Sequence, residues 1–224
     1  MQEYKISDLR CFIQYPASFS EDKQYPLLIY LHGAGTRGSD INLLANSLFF
    51  QYTGEHSDFP FVVAAPLCEV NTWFDVWEHL KNFTTDVINL PFVDKSRVYI
   101  MGASMGGYAT WQLAMSMPEY FAAIVPICGG GMYWNAGQLV HTPVWAFHGQ
   151  KDPVVFAEES IKMVNAVNSN GGNAKLTIYP ENDHDAWSDT YRNPEVFSWL
   201  LQHRKGETGG NASGEKFNDS VLYG

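Results

Sequence analysis

At 224 residues, 46% of them hydrophobic, the chain is long enough for one domain with a substantial core, yet it holds no apolar run of membrane-spanning length. Lys and Arg number 14 against 24 Asp and Glu, and the formal net charge of −10 disfavours nucleic acid and anionic membrane surfaces as partners while leaving neutral substrates favoured. Cys11, Cys68 and Cys128 lie far apart without paired spacing, which indicates neither a disulfide framework nor a zinc site, so each is expected as a small buried hydrophobe.

Met1 to Arg10 is polar and charged with no apolar centre, so no signal peptide is expected there, and with unpaired cysteines the expected compartment is the cytoplasm. An exported form is the alternative if a leader has been removed. In chain order, Cys11 to Tyr15 and Tyr25 to Leu31 read as strands, the second a near-continuous apolar run of the kind found in doubly covered parallel strands. It runs into His32-Gly33-Ala34-Gly35. Ile41 to Tyr52 has helical spacing with Ser39 or Asp40 as N-cap, and Phe61 to Ala65 is the next strand, stopped by Pro66. Trp77 to Leu90 reads as a helix, Val98 to Met101 as a strand, Ala109 to Met117 as a helix, and Ala122 to Ile127 as a strand entering Gly129-Gly130-Gly131. The strand Val144 to Phe147, the helix Val154 to Ser169, the turn Asn170-Gly171-Gly172-Asn173, the strand Lys175 to Tyr179 and a helix from about Pro194 to His203 follow. Repeated strand-helix units of this length predict an α/β fold, a mostly parallel, doubly wound sheet with helices on both faces. Residues 1–205 are expected to form a single catalytic domain, and the glycine-rich polar stretch 206–224 a tail.

The stretch Gly102-Ala103-Ser104-Met105-Gly106 lies between a predicted strand and a predicted helix, the context of a nucleophile elbow, where glycines let the backbone turn sharply and lift the serine clear of the sheet. In a doubly wound sheet, ligands bind beyond the carboxyl ends of the strands. There the chain places the His32 to Gly35 loop, Ser104, the run His148-Gly149-Gln150-Lys151-Asp152, and Asp183-His184-Asp185. A serine hydroxyl needs a base within hydrogen-bond reach, and that imidazole needs a carboxylate to fix its tautomer. Ser104, Asp152 and His184 supply these in the chain order serine, acid, histidine. Backbone N–H groups of Ala34 and Met105 are the expected donors for the developing oxyanion. Asp152 could also cap the following helix, while Asp183 and Asp185 are expected to be solvated and His32 and His148 to be structural. Trp73, Trp77, Tyr133 and Trp134 sit in loops bordering this edge, with Trp187 three residues after His184; these aromatics are the candidate substrate-binding residues.

Leu31-His32-Gly33-Ala34-Gly35, Gly102-Ala-Ser104-Met-Gly106-Gly107, His148-Gly-Gln-Lys-Asp152-Pro-Val and His184-Asp-Ala-Trp187 together resemble the α/β-hydrolase superfamily. The chain is most similar to small bacterial esterases of the phospholipase/carboxylesterase and dienelactone-hydrolase-like group, themselves distantly similar to the catalytic domain of prolyl oligopeptidases. The resemblance covers about residues 10 to 203. It implies an α/β-hydrolase fold and a metal-free, cofactor-free serine hydrolase acting through an acyl-enzyme on small-molecule carboxylic esters. No long insertion precedes Val144 to build a large lid, which favours small or accessible acyl groups, and an aromatic cleft suits aryl or sugar-linked esters. Thr36, where relatives often carry an acid, and Asp183, where glycine is common, depart from the pattern without removing a catalytic group. A serine peptidase for short peptides and a hydrolase-fold binding protein without turnover are the alternatives.

Overall fold

Strand β3 (Tyr25–Leu31) is buried along its whole length, and its side chains divide by the two-residue period of a strand. Leu27, Ile29 and Leu31 enter one apolar cluster, Leu28 and Tyr30 the other. Strand β5 (Val93–Ala103) repeats the division, with Val98 and Ile100 on the first side and Tyr99, Met101 and Ala103 on the second. A sheet sandwiched between two cores follows. The computed structural model describes residues 1–56 and 58–206, and the expected tail lies outside them from residue 207 onward.

The remaining strands are β1 (Gln2–Ile6), β2 (Leu9–Gln14), β4 (Val62–Pro66), β6 (Ala123–Ile127), β7 (Val144–Gly149) and β8 (Ala174–Tyr179), in the sheet order β1-β2-β4-β3-β5-β6-β7-β8. The pairs β1/β2 and β2/β4 are antiparallel and the rest parallel. This is an α/β-hydrolase fold. Helices α3 (Trp77–Ile88), α4 (Met105–Ser116) and α5 (Glu158–Ser169) cover the first face through Leu80, Phe83, Trp111, Leu113, Met163 and Val167. Helices α1 (Ile41–Ala45), α2 (Leu48–Glu55), α6 (Trp187–Arg192) and α7 (Pro194–Leu201) cover the second through Leu44, Phe49, Phe50, Tyr191, Val196 and Leu200. Among the described residues, no segment forms a separate lid domain and no helix is long and apolar enough to cross a membrane.

Four differences from the expected elements have local causes. The polar strand β1 escapes hydrophobic patterning because it is an exposed edge, joined to β2 through Ser7 and Asp8, both at positive φ (48° and 66°) as a two-residue hairpin turn requires. The helix expected over Ile41 to Tyr52 breaks at Asn46 and extended Ser47 (ψ 153°), which redirects Phe49 onto Tyr30, ring centroids 4.0 Å apart. Helix α5 begins at Glu158 rather than Val154, because Pro153 to Ala157 form a turn held by Asp152. The short helix α6 was not expected. Its first turn is set by Asp185, which accepts from the Ser188 N–H and hydroxyl at 3.0 and 2.7 Å; Asp185 is thus a half-buried cap rather than a solvated acid.

Candidate active site

Ser104 stands between β5 and α4 with φ 54° and ψ −117°, a region that costs a non-glycine residue about 1–3 kcal/mol and persists only when its surroundings enforce it. The enforcement is visible in the glycines. A side chain at Gly106 would collide with the carbonyl of Leu31 and one at Gly102 with the carbonyl of Gly106, so α4 meets the ends of β3 and β5 at backbone distance. The Ser104 N–H is tied to the carbonyl of Ile127 at 2.9 Å and its carbonyl accepts from Tyr108 at 3.0 Å.

The loop after β8 brings His184 to the serine. A side chain at Gly149 would meet the carbonyl of Asp183, and Lys151 N–H donates to Asn182 at 2.9 Å, which fastens the loop after β7 to the loop after β8. Ser104 Oγ then lies 2.9 Å from His184 Nε2, and His184 Nδ1 lies 2.7 Å from Asp152 Oδ2. With Nδ1–H donated to the carboxylate, Nε2 is left to accept the serine proton. This row gives the hydroxyl a base within reach and the base a fixed anionic partner.

Asp152 is fully buried at its side chain, and its second oxygen accepts from the N–H groups of Val154 and Val155, each at 2.9 Å. Burial pushes the carboxyl up, but the hydrogen bonds from His184, Val155 and Val154 outweigh it and hold the group below the ordinary aspartate value. The capping and orienting roles therefore coexist on different oxygens, with the cap closing a turn instead of a helix. His148 is buried, with Nδ1 2.7 Å from Ser160 Oγ and Nε2 2.8 Å from the carbonyl of Val155, a structural post behind the acid.

His32 is structural as well, its Nδ1 against the carbonyl of Gly33 at 2.8 Å and its Nε2 accepting from Cys68 N–H at 3.0 Å. Burial lowers its pKa to about 4, against a smaller upward pull from the Gly33 carbonyl. It shapes the loop so that a Cβ on Gly33 would stand 3.6 Å from the Cβ of Ser104, which brings Ala34 beside the nucleophile. The Ala34 N–H opens a short 3-10 turn (Ala34–Thr36) and the Met105 N–H opens α4. Neither is taken by an acceptor among the described residues.

The aromatic candidates divide. Trp73 is fully buried, its Nε1–H donating to the carbonyl of His32 at 3.1 Å, so it props the His32 loop from beneath instead of presenting a surface. Trp187 meets the His184 ring edge to face, centroids 5.3 Å apart at 89°. Tyr133 and Trp134 are exposed, at 51% and 72%. Trp77 lines a cavity of about 420 Å³ together with Phe74, Tyr108, Gln112, Gly130, Gly131, Met132 and Glu159. The serine, acid and histidine do not line it, but Tyr108 belongs to the first turn of α4, which Ser104 opens. Sequence reasoning missed Tyr108, Gln112 and Glu159; the first was findable, since four residues after Ser104 is one helical turn.

Cys128, Asp152 and His184 bring a sulfur, a carboxylate oxygen and a ring nitrogen within 4.8 Å of one another. Burial pushes the Cys128 thiol well above its ordinary value, so it stays protonated, and the Asp152 and His184 atoms are committed to each other, which makes the trio a poor cation site.

The model of the dienelactone hydrolase family matches residues 74–197, more than half of the chain. The chain belongs to the dienelactone hydrolase family. Among solved structures, this dienelactone hydrolase family member is similar to a thermostable esterase (TM-score 0.79, 30% identity, covering 91% of this chain and 62% of that one). It also shares its fold with Est1E from Butyrivibrio proteoclasticus (TM-score 0.68, 15% identity, 90% of this chain and 97% of that one). Among curated proteins it is 21% identical to dipeptidyl-peptidase 5 of Porphyromonas gingivalis over 75% of this chain and 32% of that protein. The chain spans about a third of the length of the curated relatives it matches.

Proposed function

We propose that the chain is a serine hydrolase that cleaves carboxylic esters through an acyl-enzyme, with Ser104 as nucleophile, His184 as general base and Asp152 as the residue that orients His184. One observation carries the reading: an unbroken hydrogen-bonded row, 2.9 and 2.7 Å, that begins at a serine held at φ 54° on a glycine-flanked turn. Ser104 Oγ attacks the ester carbonyl as its proton passes to His184 Nε2. The oxyanion takes hydrogen bonds from the Ala34 and Met105 N–H groups, and the loss of one such donor would raise the barrier by roughly 3 kcal/mol. His184 then returns the proton to the departing alcohol, water adds to the acyl carbonyl with His184 again as base, and collapse releases the acid and Ser104. Every reacting group belongs to the chain, so the cycle calls for no cofactor and no metal.

The catalytic domain in this reading spans residues 1–205, and its small, accessible ester substrates carry acyl, aryl or sugar-linked groups, with Trp77, Tyr133 and Trp134 as binding surface and Trp187 steadying His184. Three buried free cysteines support a reducing compartment, so cytoplasmic action is part of the reading. Cleavage of short peptides is the second reading, favoured by the relatives named dipeptidyl-peptidases. Purified protein assayed on p-nitrophenyl acetate and butyrate beside dipeptide p-nitroanilides separates the two. Turnover of the esters with inert anilides is expected; efficient anilide cleavage would make the chain a peptidase, and inertness toward both would make it a binding protein.

A further inference from the structure

The cavity beside the elbow has a composition the proposed ester chemistry does not use. Its walls are Phe74, Trp77, Tyr108 and Met132, with Phe74 and Trp77 stacked at 5.5 Å and 27°. Its floor exists because residue 130 is glycine: a Cβ there would stand 2.6 Å from Glu159 Oε2, 2.8 Å from Glu159 Cβ and 3.2 Å from Tyr108 Cε1. An apolar, aromatic chamber therefore has a carboxylate oxygen over its backbone floor.

That oxygen is available. Among the described residues Oε2 accepts no hydrogen bond, while Oε1 accepts from Lys162 Nζ at 3.4 Å across an exposed pair of the kind that contributes little. Two acids, Glu158 and Glu159, stand in the first turn of α5, and the exposed Glu158 suffices to complement the helix dipole. Tyr108 feels the Glu159 charge: burial first, then Glu159 and Asp152, push its hydroxyl above the usual tyrosine range, so a neutral phenol faces the cavity. Gln112 supplies the remaining polar group of the lining.

We infer that this cavity is a subsite for an ammonium group carried on an apolar stem, with the cation paired to Glu159 and flanked by the ring faces of Trp77, Phe74 and Tyr108. Aromatic faces attract cations, and the attraction grows as water is excluded. The net charge of −10 draws cations toward the chain as a whole. The inference rests on the proposed ester chemistry for its meaning, since it makes the preferred ester one with a positively charged amine in its acyl or alcohol part.

The test is binding of phenethylammonium against its neutral counterpart 2-phenylethanol by titration calorimetry, on the wild-type protein and on Glu159→Gln. The cation is expected to bind at least about tenfold tighter, with the advantage falling as salt rises from about 50 to about 500 mM. In Glu159→Gln the ratio should drop below about threefold. Phenethylammonium should also compete with p-nitrophenyl acetate. Equal affinities in the wild type, a preference that survives Glu159→Gln, or inhibition that is not competitive would each overturn the inference. Failure of the ester chemistry itself reads out separately, as absent labelling of Ser104 by a fluorophosphonate with the calorimetric preference intact.

Discussion

His148 Nε2 lies 3.3 Å from the same Asp152 oxygen that accepts His184 Nδ1, so one imidazole from the end of β7 and one from the loop after β8 meet a single carboxylate oxygen. His148 also reaches Ser160, which in turn donates to the carbonyl of Gly129 at 3.0 Å. The acid is thus braced from the sheet and from α5. Truncation in His148→Ala would strip the Val155 carbonyl of its imidazole partner, leave Ser160 Oγ with the Gly129 carbonyl alone and open a cavity behind the acid, a loss of about 3 kcal/mol in unfolding free energy. Urea denaturation of the two proteins measures it.

Asp152→Asn separates support from catalysis. The amide oxygen can still accept from Val154 and Val155, so the turn and the melting temperature should hold, whereas the amide nitrogen facing His184 Nδ1 forces the wrong tautomer. A fall in kcat of about 10⁴-fold with KM little changed is expected in steady-state ester hydrolysis.

Gly106 tests the elbow's geometry without touching a reacting group. A methyl there would run into the Leu31 carbonyl and stand 2.9 Å from that of His32, neither of which can yield without moving β3. Gly106→Ala should therefore destabilise the fold by about 3 kcal/mol, read as a lowered denaturation midpoint.

His32 makes stability depend on pH in a window that follows from its shift. Its pKa is about 4 in the folded chain and 6.5 in the ordinary state, so below 6.5 the unfolded chain takes a proton that the folded chain refuses. Stability from this group is whole above 6.5, falls as pH drops toward 4 and levels off beneath, a total of roughly 3 kcal/mol. His32→Asn should be less stable at pH 7 and should lose this part of the slope in unfolding curves collected from pH 7 to 4.

Much of the central sheet was legible because its strands are buried on both faces and read as apolar runs; the bounds expected for β3 match those observed, Tyr25–Leu31. The edge strand β1 was not, since an exposed polar strand carries no period against solvent. The candidate site was legible where chemistry demands a residue type at a strand end: Ser104, Asp152 and His184, expected at one sheet edge, lie within hydrogen-bond reach in a row. It was illegible where packing decides: Trp73 and Trp77 share one aromatic run, yet the first is sealed under the His32 loop and the second faces a cavity. Glu159 carries no motif, and only the missing side chain of Gly130, distant in sequence, makes its carboxylate part of that cavity.

Covalent capture decides whether Ser104 is the nucleophile. Folded wild-type protein treated with a fluorophosphonate and digested for mass spectrometry should carry the adduct on Ser104. Ser104→Ala should take none and should lose at least about 10⁴-fold in kcat on p-nitrophenyl acetate. Full ester turnover by Ser104→Ala, or an unlabelled Ser104 in active wild-type protein, would contradict the account.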